Sequence, residues 1–334
     1  MNKKIILVLI ISTFALTAMG CQNNSSNIKD TITKDKIVDE NKRTQIMEEY
    51  ELVKTSTTIE LAEFIDRNID LLTTDDADNF LLYFIKRSKD NALRVNSNLI
   101  DQKLKSIFGI NYGPHAVEDG IEYGVSLIGE KKEIALLNLT NVNDKEYVKE
   151  LFLRGQTINQ YEGEYFLIID YNYINNKYGD KVSNSLSEYL DIMDKETITP
   201  LTSGEYLAVS LEELQNRAVN YENFLTNSGD TTYSQDIKNF YSTALWRILS
   251  TPTYFNDFTD DFKLKGSRLD YYNTLINLDT SKITTSAVKD LYDFFYSDSN
   301  GLNDLNVDVD NIIYGKEKEI HSAAMLKLEA LDNN

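Results

Sequence analysis

Two histidines and one cysteine limit the chemistry open to this 334-residue chain. His115 stands in Tyr112-Gly113-Pro114-His115, within a glycine-punctuated stretch, and His321 stands in the last helical pattern. A Ser-His-Asp or Cys-His arrangement needs one of them as its base, and no motif names partners for either. There is no His-Glu-x-x-His zinc motif, no Gly-x-Ser-x-Gly elbow and no glycine loop ending in Lys-Ser or Lys-Thr. Both histidines read as packed or surface residues. A single cysteine, Cys21, excludes metal sites built on thiolates.

Carboxylates are abundant, with 53 Asp and Glu against 34 Lys and Arg. A glycosidase pair needs one raised and one ordinary pKa, a matter of burial, so the sequence singles out no pair. Acids cluster at Asp75, Asp76 and Asp78, at Asp257, Asp260 and Asp261, and at Asp304, Asp308 and Asp310. The third cluster comes nearest to a calcium loop, yet it lacks the glycine at position six and the glutamate at position twelve. Solvated helix caps account for all three. The expectation is a protein that is no enzyme and carries no cofactor or metal.

The net charge of −19 argues against the whole molecule binding polyanions, which makes one local departure informative. Residues 86–105 carry Lys86, Arg87, Lys89, Arg94, Lys103 and Lys105 against Asp90 and Asp101. Phe80, Tyr83 and Phe84 precede the stretch, and Phe108 and Tyr112 follow it. Cations interleaved with rings suit a polyanion, since phosphates meet lysines and bases stack on aromatics. The alternative is a solvated helix face with those rings in the core. Lys263, Lys265 and Arg268 before Tyr271 and Tyr272 form a smaller echo.

The elements that must position these residues are mainly helices. Only 3 prolines and 14 glycines disfavour a turn-rich β-sandwich. Residues 28–56 read as a charged helix or stalk. Thr57-Thr58-Ile59-Glu60 looks like a capping box before Leu61, Phe64, Ile65, Ile69 and Leu72 at helical spacing. Thr74 before Asp75-Asp76 marks another start, and a third helix runs from about Asn98 to Phe108, stopped by Gly109. Residues 110–142 are the least helical, with a small β-hairpin expected around 121–142, its arms Val125–Ile128 and Ile134–Leu139. Helices follow at Asp144–Arg154 and Asp180–Asp194, with Tyr165–Ile174 open to either helix or strand. Beyond Thr199-Pro200 come capping boxes at Ser210 and Thr232 and helical patterns over Leu269–Leu278, Ala287–Phe295 and Asn311–Leu331. Tyr292, Phe294, Phe295 and Tyr296 cannot all face one side of a helix, so an exposed aromatic patch, hence a partner surface or a homodimer, is expected.

The first twenty-one residues organise the rest. Lys3 and Lys4 precede an apolar run from Ile5 to Leu16, and Ala18-Met19-Gly20 leads into Cys21. The run of about 12 residues is short of the roughly 20 that span a bilayer. A charged start, an apolar middle and small residues at a cut are the layout of a cleaved secretory signal. With a cysteine directly after the cut, the segment resembles the lipobox of bacterial lipoproteins, although Ala18 stands where that pattern has a bulky aliphatic residue. Richness in Asn, Lys, Ile, Asp and Tyr points to an AT-rich Gram-positive source such as a clostridium. The resemblance implies cleavage before Cys21, diacylglycerol on its thiol and anchoring to the outer face of the cell membrane, and two acyl chains suffice for stable attachment. Gln22 to Asn27 is a polar tether.

The resulting expectation has four parts: a signal peptide (1–20), a lipidated tether and stalk (21–56), a helical domain (57–200) with an irregular insert at 110–142, and a second helical domain (201–334). Its expected role is adhesion between envelope and extracellular matrix, as in a biofilm, with extracellular DNA or teichoic acid as the polyanion. A solute-binding or sensory receptor is the alternative, and a cell-wall-active enzyme the third.

Overall fold

The computed structural model describes residues 39–95, 98–109, 117–118, 121–122, 125–127, 130–161, 163–203, 206–229, 231–250, 259, 263–278, 282–297 and 308–331. They belong to one compact unit, Lys36–Asn334, which is mainly α. The leader, Cys21 and the polar tether lie outside the described residues.

Helix α1 (Glu40–Val53) occupies much of the expected stalk, and it is part of the body. Ile46 and Tyr50 are buried in the main core, and Tyr50 stacks on Phe80 with ring centroids 3.7 Å apart. Arg43 holds α1 down by donating from Nε to Asp76 Oδ2 at 2.6 Å and from Nη2 to Oδ1 at 3.1 Å. The irregular apolar spacing reads as a solvated helix because the inward face, Ile46 and Tyr50, is only a few residues wide.

Helix α2 (Thr58–Asn68) starts at the expected capping box. Glu60 N donates to Thr57 Oγ1 at 3.2 Å, and Thr57 N donates to Glu60 Oε2 at 2.9 Å. Helix α3 (Thr74–Val95) is capped by Thr73, one residue before the expected start, through Asp76 N at 3.2 Å. Ala77, Phe80, Leu81 and Phe84, at helical spacing, are almost fully buried. Helix α4 (Asn98–Phe108) has the expected bounds and ends at Gly109, whose φ is +79°.

The stretch expected as a hairpin divides. Strands β1 (Val117–Glu118) and β2 (Ile121–Glu122) form a short antiparallel pair. Strand β3 (Val125–Ser126) pairs with a strand some thirty residues later, and the expected second arm lies in helix α5 (Glu130–Asn138). That segment is rich in helix formers, and Lys132, Ala135 and Leu136 follow helical spacing, with none of the alternation a half-buried strand needs. Helix α6 (Val142–Leu153), capped by Asn141, leads into β4 (Gln156–Tyr161) and β5 (Glu164–Ile169). The sheet order is β3-β4-β5, all antiparallel.

Gly155 joins α6 to β4 at φ +69°, and a Cβ there would lie 2.9 Å from the ring of buried Phe84. Left-handed strain of about 1–2 kcal/mol then adds to overpacking of about 1–3 kcal/mol. Gly155→Ala is therefore expected to cost about 2–5 kcal/mol in chemical unfolding. Gly109→Ala, at a similar φ with nothing within 4 Å of the added carbon, is expected to cost only the strain.

Tyr165–Ile174 is both strand and helix: β5 ends at Ile169, and Asp170 caps helix α7 (Tyr171–Tyr178) by accepting from Tyr173 N at 2.9 Å. Helix α8 (Asn184–Ile198) begins four residues later than the spacing predicts, because Ser183 supplies the cap. A short pair, β6 (Thr202–Ser203) and β7 (Tyr206–Leu207), precedes helix α9 (Leu211–Ser228), capped by Ser210 as expected. Helix α10 (Ser234–Leu249) lacks the expected Thr232 cap; Ser234 instead ties back to Thr231. Helices α11 (Gly266–Leu278), α12 (Ile283–Phe295) and α13 (Val309–Leu331) complete the chain.

The main core runs from Ile46 to Leu328 and is continuous across the Thr199-Pro200 boundary. A second cluster, with Ala92, Ile100, Leu104, Val148, Leu151 and Ile158 among its members, sits where α3, α4, α6 and the three-stranded sheet meet. The aromatic stretch at residues 292–296 is partly exposed: Phe295 is buried, and Tyr292, Phe294 and Tyr296 are partly buried against the main core. Tyr292 and Tyr296, one turn apart, stack on each other at 4.5 Å and so shield part of each ring.

Candidate functional site

The six basic residues divide by use. Arg87 is structural: Nη1 donates to Lys54 O at 3.1 Å and Nη2 to Ser56 O at 2.9 Å, clamping the turn between α1 and α2. Lys103 pairs with Asp144 at 2.7 Å, joining α4 to α6. Lys105 pairs with Asp101 at 2.6 Å, and Asp101 also accepts the Tyr165 amide at 2.8 Å. Burial pushes the Asp101 carboxyl up, but Lys105 and that amide outweigh it and hold the pKa below the ordinary value. Lys86, Lys89 and Arg94 are exposed on α3 and make no ion pair among the described residues. At 3.6 residues per turn they share an arc of about 140°. Asp90 and Leu93 lie in the same arc, Leu93 at 68% exposure. The interleaved rings do not join them: Phe80 and Phe84 are core, and Tyr83 donates its hydroxyl to Lys54 O. In the smaller echo, Arg268 is buried while Lys263 and Lys265 are exposed.

His115 lies outside the described residues. His321 on α13 faces Ser242 on α10, with Nε2 3.2 Å from Ser242 Oγ and 3.0 Å from Ser242 O. A carbonyl only accepts, so the short contact to it places the proton on Nε2, and that nitrogen then cannot act as a base toward the hydroxyl. The ring also packs edge-on against Trp246 at 5.6 Å. This is the packed histidine that the sequence suggests.

Asp76, Asp78 and Asp308 act as fold fasteners, while Asp75 and Asp310 are exposed. Asp76 takes Arg43, which holds its carboxyl below the ordinary value, and Asp78 accepts the Ser183 amide at 2.8 Å while burial pushes its pKa up. Asp308 caps α13 through Asn311. Asp257, Asp260, Asp261 and Asp304 lie outside the described residues. Among the described residues no group of three or more His, Cys, Asp or Glu could hold a metal ion, and no helix is long and apolar enough to cross a membrane.

Sequence reasoning missed three buried polar networks. Arg217, with a side chain only 3% exposed, donates from Nε to Glu213 at 2.7 Å, from Nη1 to Thr199 O at 2.6 Å, and from Nη1 to Glu196. Tyr221 also donates to Glu196, and Lys195 pairs with Glu213 at 2.6 Å. Burial pushes Glu213 up, yet Lys195 and Arg217 together hold it below the ordinary value. Glu222 on α9 caps α12 from outside, and Lys132 on α5 meets Asp170 in the interior. Only the four-residue spacing of Glu213 and Arg217 was a readable signal for any of them.

No protein-family model, curated protein or solved structure matches this chain.

Proposed function

We propose that the protein is a lipid-anchored cell-surface protein with a non-enzymatic interaction role, binding phosphate-rich polyanions through the exposed cations of α3. The observation that carries this reading is the trio Lys86, Lys89 and Arg94, without an ion pair among the described residues, on one helix face of a chain whose net charge is −19. Extracellular DNA and teichoic acid share the phosphodiester chemistry that such a face would take. The lipobox-like leader ending at Cys21 supports the placement at the outer face of the cell membrane.

Full chain purified in mild detergent should bind a labelled DNA duplex and lipoteichoic acid at low salt. Replacing Lys86, Lys89 and Arg94 by alanine together should remove that binding, while Lys103→Ala with Lys105→Ala, which touch paired lysines, should leave most of it. Binding unchanged by the triple replacement would refute the assignment. Anchoring has its own test: Cys21→Ser should shift the protein out of the membrane fraction, and retention there would refute lipid attachment at this residue.

A further inference from the structure

Lys132 on α5 and Asp170, at the joint between β5 and α7, are both buried, at 9% and 1% exposure, with Nζ in contact with Oδ2. The rings of Phe152 and Tyr173 wall the amine, their centroids 4.5 Å and 5.1 Å from Nζ. Asp170 is fixed at both ends: its backbone N donates to Gly155 O at 2.9 Å, and its Oδ1 accepts from Tyr173 N at 2.9 Å. Neither Nζ nor Oδ2 makes an aligned hydrogen bond among the described residues.

A buried ammonium with three N–H donors and no aligned acceptor is a costly arrangement, as is a buried carboxylate oxygen with no donor. Burial favours the uncharged amine and pushes the Lys132 pKa down, and the contact with Asp170 only partly opposes it. A desolvated, uncharged amine is a nucleophile. Here it is held against a carboxyl group, so the two need not meet by diffusion. In water, ionisation of both groups opposes their condensation, and an apolar site removes most of that opposition. The Tyr173 N–H, in the first turn of α7, is placed to stabilise negative charge as it develops on Oδ1.

We infer that Lys132 and Asp170 form an intramolecular isopeptide bond, an amide between Nζ and Cγ that ties α5 to the start of α7. One proton passes from the ammonium to Oδ2, and the freed lone pair attacks Cγ. The Nζ–Cγ bond forms, the Cγ–Oδ2 bond breaks, and Oδ2 leaves as water with that proton and a second one from Nζ. No oxidant, reductant or co-reactant enters. The amide accounts for both orphaned atoms, since Oδ2 departs, Nζ keeps one hydrogen, and Oδ1 still accepts from Tyr173 N. Residues 132–170 become a closed loop around α6 and the β4–β5 pair, restricting the unfolded chain as a disulfide does. Replacing either residue prevents the bond and leaves the other buried without its partner. The inference is independent of the polyanion face on α3.

The test is peptide mapping by mass spectrometry of the full chain, purified folded in mild detergent, then denatured and digested with trypsin. An acylated Lys132 is no longer a tryptic site. The expected product is a branched peptide joining residues 132–145 to residues 155–177, with their summed mass less one water. Fragmentation should place the link on Lys132 and Asp170. Lys132→Arg, which keeps the cation but offers no primary amine, and Lys132→Met should each abolish the branched peptide, with circular dichroism confirming that the variant is folded. Recovery of residues 155–177 chiefly as an unbranched peptide, at full mass or dehydrated, with cleavage after Lys132, would overturn the inference. So would a branched product that survives in folded Lys132→Arg protein.

Discussion

Glu222→Ala is expected to destabilise the protein by about 3 kcal/mol or more, read as a fall in denaturation midpoint at constant m-value. Helix α12 has no side-chain cap of its own at Lys282, and Glu222 from α9 does that work. Its carboxylate accepts the Ile283 amide at 2.6 Å, the Thr284 amide at 2.9 Å and the Thr284 hydroxyl at 2.5 Å. The site is buried, with Glu222 at 3% exposure and Thr284 at 0%, so no water replaces the lost acceptor. Hydrogen bonds to charged groups contribute about 1.5–3 kcal/mol each, and an orphaned buried donor costs about 1–3 kcal/mol. Glu222→Gln keeps the shape and part of the acceptor set but removes the negative charge at a helix N-terminus. It should cost less, about 1–2 kcal/mol. Equal losses for alanine and glutamine would mean that charge alone matters there.

The second large effect concerns Lys132 and Asp170. The ammonium lies over the Phe152 ring at 4.5 Å and the Tyr173 ring at 5.1 Å, in ion-pair contact with Asp170 without the alignment of a full hydrogen bond. Asp170 is 1% exposed. Burial lowers the pKa of the lysine, and Asp170 only partly opposes it. Removing one partner strands the other charge, so Lys132→Met alone should cost about 3–5 kcal/mol. Adding Asp170→Asn should recover most of that loss, because the amide still accepts the Tyr173 N–H that caps α7 and no buried charge remains. The double-mutant cycle then shows a coupling of several kcal/mol between residues 38 positions apart in sequence. Additive single effects would show that the pair contributes nothing as a pair.

These networks also show where sequence reading reaches its limit. The helix starts at Thr57 and Ser210, and the stop at Gly109, were legible because a cap is a local event within three or four residues. The cap on α12 was not, since its acceptor comes from Glu222, some sixty residues earlier. Likewise, the turn from β5 into α7 at Asp170 carried a capping residue inside an apolar run, and the apolar run dominated the reading. The split of the basic stretch was partly legible. Helical spacing places Lys86 and Lys89 away from the Phe80–Phe84 core face, but nothing local shows that Arg87 spends itself on two carbonyls of another turn.

The central claim is that three unpaired cations on α3 form a contact for phosphate chains, and the salt dependence of DNA binding tests it most directly. Affinity of the full chain for a short duplex should be measured from about 25 to 200 mM salt by fluorescence anisotropy. Three phosphate contacts predict a log–log slope of about −2.7, roughly 0.9 for each cation engaged. Single replacements of Lys86, Lys89 or Arg94 should each flatten the slope by about 0.9. A flat salt response in the unaltered protein, or a slope that survives loss of all three cations, would contradict the account.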